Sequence, residues 1–396
     1  MKNSNISISF VKQICRFALL FALLAGCAPQ PTQTPLDVDA ASTQAVATIM
    51  AGITQTAQSV PPTPTPTETP VPTPTAIRTP PALPDAFKTD ILNKLDKPVS
   101  YLNDTCQYLK AKWSPENATP GTLVMVIMFH SITKGEVTAA DQLSMGEFRK
   151  LMDDLKEFKF EAIDMQQMSD FVYKNAKIPE RSVLLIVDDR KYREYFDVAF
   201  ARYYKNWGWK VVNAWISHPE TNTVLWDENA ALETEGWVDH QAHGVIHNIN
   251  MSNDSSDDFL KGELQGSIDA FNAHFGKAPI AIIWPGGGFG KRPVDAARQY
   301  GYQLGFTINP RGPVMFNWVP QSSEGDPNRP SYIPEGPAGD PLMTLPRYWD
   351  TDARAHLDDV RRISKEAIAY NESVKATELE YYDIVCAPTF GALVNP

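Results

Sequence analysis

Leu123 to Phe129 (LVMVIMF) and Val183 to Val187 (VLLIV) are wholly apolar, ending at His130 and at the pair Asp188–Asp189. Apolar runs of this length without alternation predict strands buried on both faces, as in a parallel sheet. Around them, Phe148 to Phe158 has helical spacing and Phe160 to Ile163 reads as a short strand. Tyr195 to Trp207 predicts a helix, and Lys210 to Trp215 another strand. The pattern continues with a helix over Leu260–Phe275, a strand over Ile280–Trp284, a helix over Val294–Tyr300 and a strand around Gly305–Ile308. Strands alternating with helices predict an α/β domain with a mainly parallel sheet. Chemistry in such folds sits at the C-terminal ends of strands. His130, Asp188, Asp189 and the Pro285–Gly286 turn all fall at such ends. No internal repeat is evident.

The N-terminal part reads differently. Lys2, Lys12 and Arg16 accompany the apolar run Phe17–Leu24, with Ala25 and Gly26 after it. Residues 1–26 therefore read as a signal segment, too short to span a bilayer comfortably. Leu24-Ala25-Gly26-Cys27 resembles a bacterial lipoprotein signal, which implies that Cys27 is acylated and holds the chain at a membrane. An ordinary signal peptide with an incidental Cys is the alternative. Residues 27–84 read as a disordered, semi-rigid Pro/Thr-rich tether, with ten Pro between 61 and 84. Residues 85–120 then read as an N-terminal extension, 121–375 as the main domain, and 376–396 as a segment packing on it. The expected protein is exported, lipid-anchored and exposed on the extracytoplasmic side of a bacterial membrane.

The chain has 396 residues, enough for one large or two ordinary domains. Its net charge of −11 counts against a nucleic-acid binder, which needs a basic surface. Four Cys rule out a disulfide-built scaffold. With Cys15 in the signal and Cys27 committed to lipid, Cys106 and Cys386 remain. They either pair in an oxidising compartment or stay as two buried thiols.

The Asp188–Asp189 pair alone reads equally as a turn or helix cap. The segment Asp239–His247 (DHQAHGVIH) holds three of the chain's seven His. His243 and His247, four apart, reach one side from a helical turn or a compact loop. His240 stands as a third ligand, a supporting residue or a surface residue. No Glu lies between His243 and His247, so this is not a zinc-peptidase H-E-x-x-H. Two His and one Asp make a three-ligand set with an open position, as expected of catalytic zinc or another divalent transition metal. The second Asp is left to take a proton from water. Gly286-Gly287-Gly288-Phe289-Gly290 contains neither G-K-[ST] nor a full dinucleotide fingerprint, so no nucleotide cofactor is expected.

These pieces, in this order, resemble the polysaccharide deacetylase family (the NodB-homology, carbohydrate esterase 4 group) over roughly residues 121–350. The resemblance implies a distorted (β/α) barrel and removal of acetyl groups from an N- or O-acetylated polysaccharide. The family's T-F-D-D-G is matched by Ile186-Val187-Asp188-Asp189-Arg190, which implies Asp188 as general base and Asp189 as metal ligand. Its H-x-x-x-H motif implies His243 and His247 as the other ligands. Met128-Phe129-His130-Ser131 is similar to the M-Y-H start of the poly-N-acetylglucosamine subgroup, which implies His130 as the acid that protonates the leaving amine, with a site-orienting group or a structural His as the alternatives. Trp284-Pro285-Gly286 stands for the third motif, without its Arg. Arg347 is a candidate to supply that guanidinium, and Arg190 replaces the family's Gly. Arg190, Trp284, Pro285, Gly286 and Arg347 are the candidate substrate-binding residues, with core packing an equal reading for Trp284. A catalytically silent carbohydrate-binding domain of the same fold is the alternative function.

Overall fold

The structure is a computed structural model that describes residues 78–394. The signal segment, Cys27 and the tether as far as residue 77 lie outside the described residues. A nine-stranded sheet forms the centre. In chain order its strands are β1 (Leu123–Phe129), β2 (Glu161–Ala162), β3 (Arg181–Asp188), β4 (Val211–Trp215) and β5 (Val238–Ala242). They continue with β6 (Ala281–Ile283), β7 (Leu304–Phe306), β8 (Val314–Met315) and β9 (Tyr348–Trp349). The order across the sheet is β7-β6-β5-β4-β3-β1-β8, with β9 also pairing β1 and β2 pairing β3. All these pairings are parallel except that of β8 with β1.

Period-two alternation divides the strand residues between two cores. Val124, Val126, Leu184, Ile186, Val212, Ala281, Ile283, Leu304 and Phe306 share the core on the concave side. Leu123, Met125, Ile127, Val183, Leu185 and Val187 face the helices outside. Because both faces are covered, β1 is buried along its whole length and β3 from its second residue on, as the uninterrupted apolar runs predict.

The sheet curls but does not close. Leu345 forms a parallel bridge to Phe306 of β7, and three residues later Tyr348 pairs with Ile127 of β1. One short segment thus spans the gap between β7 and β1, giving an α/β fold with a curled, incompletely closed sheet. The long excursion leading into it is pinned by buried ion pairs. Arg311 reaches Asp96 at 2.9 Å and Glu335 at 3.0 Å, and Arg329 reaches Asp96 at 3.0 Å.

The outer layer contains α1 (Thr105–Trp113), α2 (Met145–Glu157), α3 (Met165–Lys174), α4 (Arg193–Ala199) and α5 (Ala201–Trp207). It continues with α6 (Thr223–Glu235), α7 (Asp257–His274), α8 (Lys291–Gln299) and α9 (Asp350–Tyr381). Ser144, Asn222 and Ser256 cap α2, α6 and α7 by accepting from backbone N–H groups of the first turn. The single helix expected over Tyr195–Trp207 is two helices meeting at Phe200, whose φ of −106° departs from helical geometry. Phe200 itself is buried among Phe129, Phe148 and Phe196. The expected division after residue 375 falls inside α9, which runs on to Tyr381.

Cys106 at the start of α1 and Cys386 form a disulfide across 280 positions, with Cα atoms 5.3 Å apart. The chain enters beside this bond. Arg78 pairs with Asp383 and Glu380, and Leu83 packs against the cluster of Leu109, Trp113, Tyr382 and Cys386.

Candidate metal centre

Asp188 ends β3 with the parity of Leu184 and Ile186, so its carboxylate points into the concave side. Asp189 would face the other way if the strand continued. Instead it takes φ +73°, the left-handed region that Asp tolerates better than most residues, and this turns its carboxylate back to the same mouth. His243 follows β5 directly on the inward parity. Its loop reverses at Gly244, φ +74°, where a Cβ would lie 2.9 Å from Pro285. The buried Glu263 carboxylate then accepts from the N–H groups of Val245 (2.7 Å) and Ile246 (2.9 Å), which fixes the turn carrying His247. His247 also has a positive φ, +64°. Two of the three candidate ligands therefore sit in backbone conformations that cost on the order of 1–3 kcal/mol, a cost that surrounding structure must hold in place.

The three ligand atoms lie within 4.8 Å of one another. His243 Nε2 is 3.1 Å from His247 Nε2, and Asp189 Oδ1 is 3.9 Å from the former and 3.5 Å from the latter. Ligands about 2.0–2.2 Å from one tetrahedral ion stand roughly 3.3–3.6 Å apart, so the spacing fits. The protonation pattern fits too. His243 Nδ1 donates to the Ile283 carbonyl at 2.8 Å, which leaves the Nε2 lone pair aimed at the cluster. Burial, ahead of the nearby His247, holds the His243 imidazolium below its ordinary pKa, favouring the neutral ring that a cation needs. Asp189, His243 and His247 form a candidate divalent-metal site.

Asp188 stands beside this triad as a separate group. Its Oδ1 accepts from Arg347 Nη1 at 2.6 Å, and its Oδ2 is 3.5 Å from His130 Nε2. Burial opposes its charge, but Arg347, His243 and His130 together outweigh burial and hold the carboxyl well below the usual carboxylate range. The guanidinium absent from the third motif is thus supplied by Arg347, which also donates through Nε to the Thr307 carbonyl at 2.8 Å. Arg347 is fully buried, so it grips Asp188 rather than a substrate. His130 stacks on Trp349, ring centroids 5.1 Å apart, while its Nδ1 is buried without a hydrogen-bond partner.

For Trp284 and His240 the geometry selects among the readings left open. Trp284 is fully buried and donates its indole N–H to the Met343 carbonyl at 2.8 Å, so it belongs to the core and lines no cleft. His240, three residues before His243, has the opposite strand parity and faces α6. There it meets Glu233 and Asn229, both at 2.9 Å, and it is not a ligand. Pro285 is buried, whereas Gly286 is exposed at the turn beside Asn250. Arg190 lines the mouth together with Asp189, His218, Ile246 and His247.

Sequence reasoning missed Glu263 and Asp350. Asp350 is buried beside the site, and burial followed by repulsion from Asp188 pushes its carboxyl up to about 7. In the sequence it reads only as an acid near Trp349, with no motif to mark it.

Residues 175–305 match the polysaccharide deacetylase family model. The matched segment contains Asp188, Asp189, His243 and His247, while His130 and Arg347 lie outside it. The curled, incompletely closed sheet is typical of these deacetylases. Among solved structures, the chain is similar to the deacetylase PplD of Streptococcus pyogenes in complex with acetate. That match has 18% identity, covers 61% of this chain and 99% of the other, and has a TM-score of 0.47. A polysaccharide deacetylase from Bacillus cereus matches at 17% identity over 60% of this chain and 69% of its own, TM-score 0.46. IcaB from Ammonifex degensii matches at 15% identity over 63% of this chain and all of its own (100%), TM-score 0.45. No curated protein matches the sequence. The deacetylase family match and the candidate metal site support a hydrolytic deacetylase.

Proposed function

We propose that the protein is a zinc-dependent deacetylase that removes acetyl groups from an N-acetylated polysaccharide at the cell envelope. The observation that carries this reading is the convergence of Asp189, His243 and His247 beside a carboxylate, Asp188, kept charged by a buried arginine. Asp189, His243 and His247 would hold a divalent ion, which would supply Lewis acidity toward the acetyl carbonyl and toward water. Asp188 accepts the proton of the attacking water, its ionised form being secured by Arg347. His130, held flat against Trp349 with Nε2 facing Asp188, donates a proton to the departing sugar nitrogen. Acetate and a free amine result, with no covalent enzyme intermediate.

The lipid expected at Cys27 is not part of this chemistry; acylation there, after loss of residues 1–26, would anchor the domain on the extracytoplasmic face through the Pro/Thr-rich tether. Mass spectrometry of the exported protein tests that part, and an unmodified Cys27 ends it. The catalytic part is tested by measuring bound metal and acetate release from N-acetylglucosamine oligomers. Wild type should hold about one equivalent of metal and release acetate. Asp189→Ala should lose both, and Asp188→Asn should keep the metal while losing roughly 10³-fold or more in rate, an effect at the scale of removing a key catalytic group. Metal retention with no acetate from any acetylated glycan would refute the enzyme reading.

A further inference from the structure

A groove of 540 Å³ runs between the Ser131–Gly135 segment after β1 and the start of α4, and its charged lining is Lys134, Arg190, Lys191 and Glu194. Three cations against one acid is a local reversal in a chain whose net charge is −11. Arg190 lines both this groove and the mouth of the metal site, so the two spaces adjoin at that residue. Its Nη1 donates to Thr221 Oγ1 at 2.8 Å, a neutral partner that holds the guanidinium in place without cancelling its charge. By contrast, Arg193 one turn on is neutralised by Asp197 and Glu235. Lys191 lies 3.9 Å from Asp189 Oδ2, an acid committed to the triad, and over the Tyr195 ring at 5.5 Å. Tyr192, 54% exposed, offers an apolar ring face in the same lining. A guanidinium with a fixed plane, two ammonium groups and an exposed aromatic ring is the equipment for an oxyanion carried on a sugar.

We propose that this groove is a subsite for an anionic sugar, taking the carboxylate or phosphate of a residue near the acetylated one, so that the substrate is an acidic glycan. The proposal rests on the deacetylase reading for the placement of the acetylated residue, but the binding it predicts needs no turnover. Calorimetry on the full chain, treated with a chelator so that no turnover occurs, separates the two. Three tetrasaccharides serve as probes: neutral N-acetylglucosamine, N-acetylglucosamine alternating with glucuronate, and N-acetylglucosamine carrying one 6-phosphate. At low salt at least one charged probe should bind about tenfold or more tighter than the neutral one. The advantage should shrink to about twofold near 0.5 M salt, where exposed charges are screened. Which charged probe wins identifies carboxylate or phosphate as the natural group. Arg190→Gln and Lys134→Gln should each cut the advantage severalfold, with melting temperatures confirming that the variants fold. Lys365→Gln, the same charge change on α9, should leave it intact. Equal or weaker binding of both charged probes, or an equal loss in Lys365→Gln, overturns the proposal. Loss of the deacetylase reading would show instead as charged-probe binding without acetate release from the metal-loaded chain.

Discussion

Arg347 and Asp350 lie three residues apart, and they act on the charge of the site in opposite directions. Arg347 stabilises the ionised Asp188 across a sequence separation of 159. Arg347→Gln leaves a buried carboxylate unpaired, which should cost about 3–5 kcal/mol of stability near neutral pH by denaturant titration. Because the folded-state pKa of Asp188 is depressed, its stabilising contribution exists above the unfolded pKa and fades as pH falls through the folded one. In Arg347→Gln that depression is largely removed, so the acid limb of the kcat/KM profile should move to higher pH. Asp350 shows the reverse sign. With its carboxyl raised to about 7, the folded state binds the extra proton, so the contribution is complete at acid pH and disappears as pH rises through 7. Asp350→Asn should therefore be more stable than wild type at pH 8, by the order of a few kcal/mol, and little changed at pH 4. Equal melting temperatures at pH 8 would contradict the buried placement of that carboxyl.

Among the elements, the segment that bridges β7 and β1 matters most to the site, since it carries Arg347 and Trp349. It can approach β7 only because Gly305 has no side chain; a Cβ there would strike the Met343 carbonyl. Gly305→Ala should cost at least about 1–3 kcal/mol through overpacking. It should also lower deacetylase activity more than its stability loss explains, because the displaced segment loosens Arg347 from Asp188. Circular dichroism melting and acetate release on the same variant check both halves. This dependence also explains what the sequence could and could not disclose. β1 and β3 were legible because burial on both faces writes an unbroken apolar run, and Asp188 and Asp189 stood out by ending one. The His243–His247 spacing was legible as a ligand pair. The rotation that unites the two Asp side chains was not, because it lies in one φ angle at Asp189. Nor was the split at Phe200, where tertiary burial of an aromatic ring overrides helical periodicity. Arg347 was readable only as a candidate, since its partner is set by how the sheet curls.

For the molecule as a whole, the Cys106–Cys386 disulfide joins α1 to the C-terminal turns beyond α9. Cys106→Ser should lower stability by about 2–5 kcal/mol, seen as a lower denaturant midpoint in the absence of reductant. An unchanged midpoint would mean that the bond does not form in the protein. The staple also dictates how the protein answers a pull. Tension applied between the two ends of the chain passes from residue 106 to residue 386 through two sulfur atoms, and the curled sheet and helices between them carry none of the load. Stretched by optical tweezers, the oxidised molecule should withhold that length; reductant should release roughly 100 nm more, at about 3.3–3.6 Å for each of the 280 bridged positions.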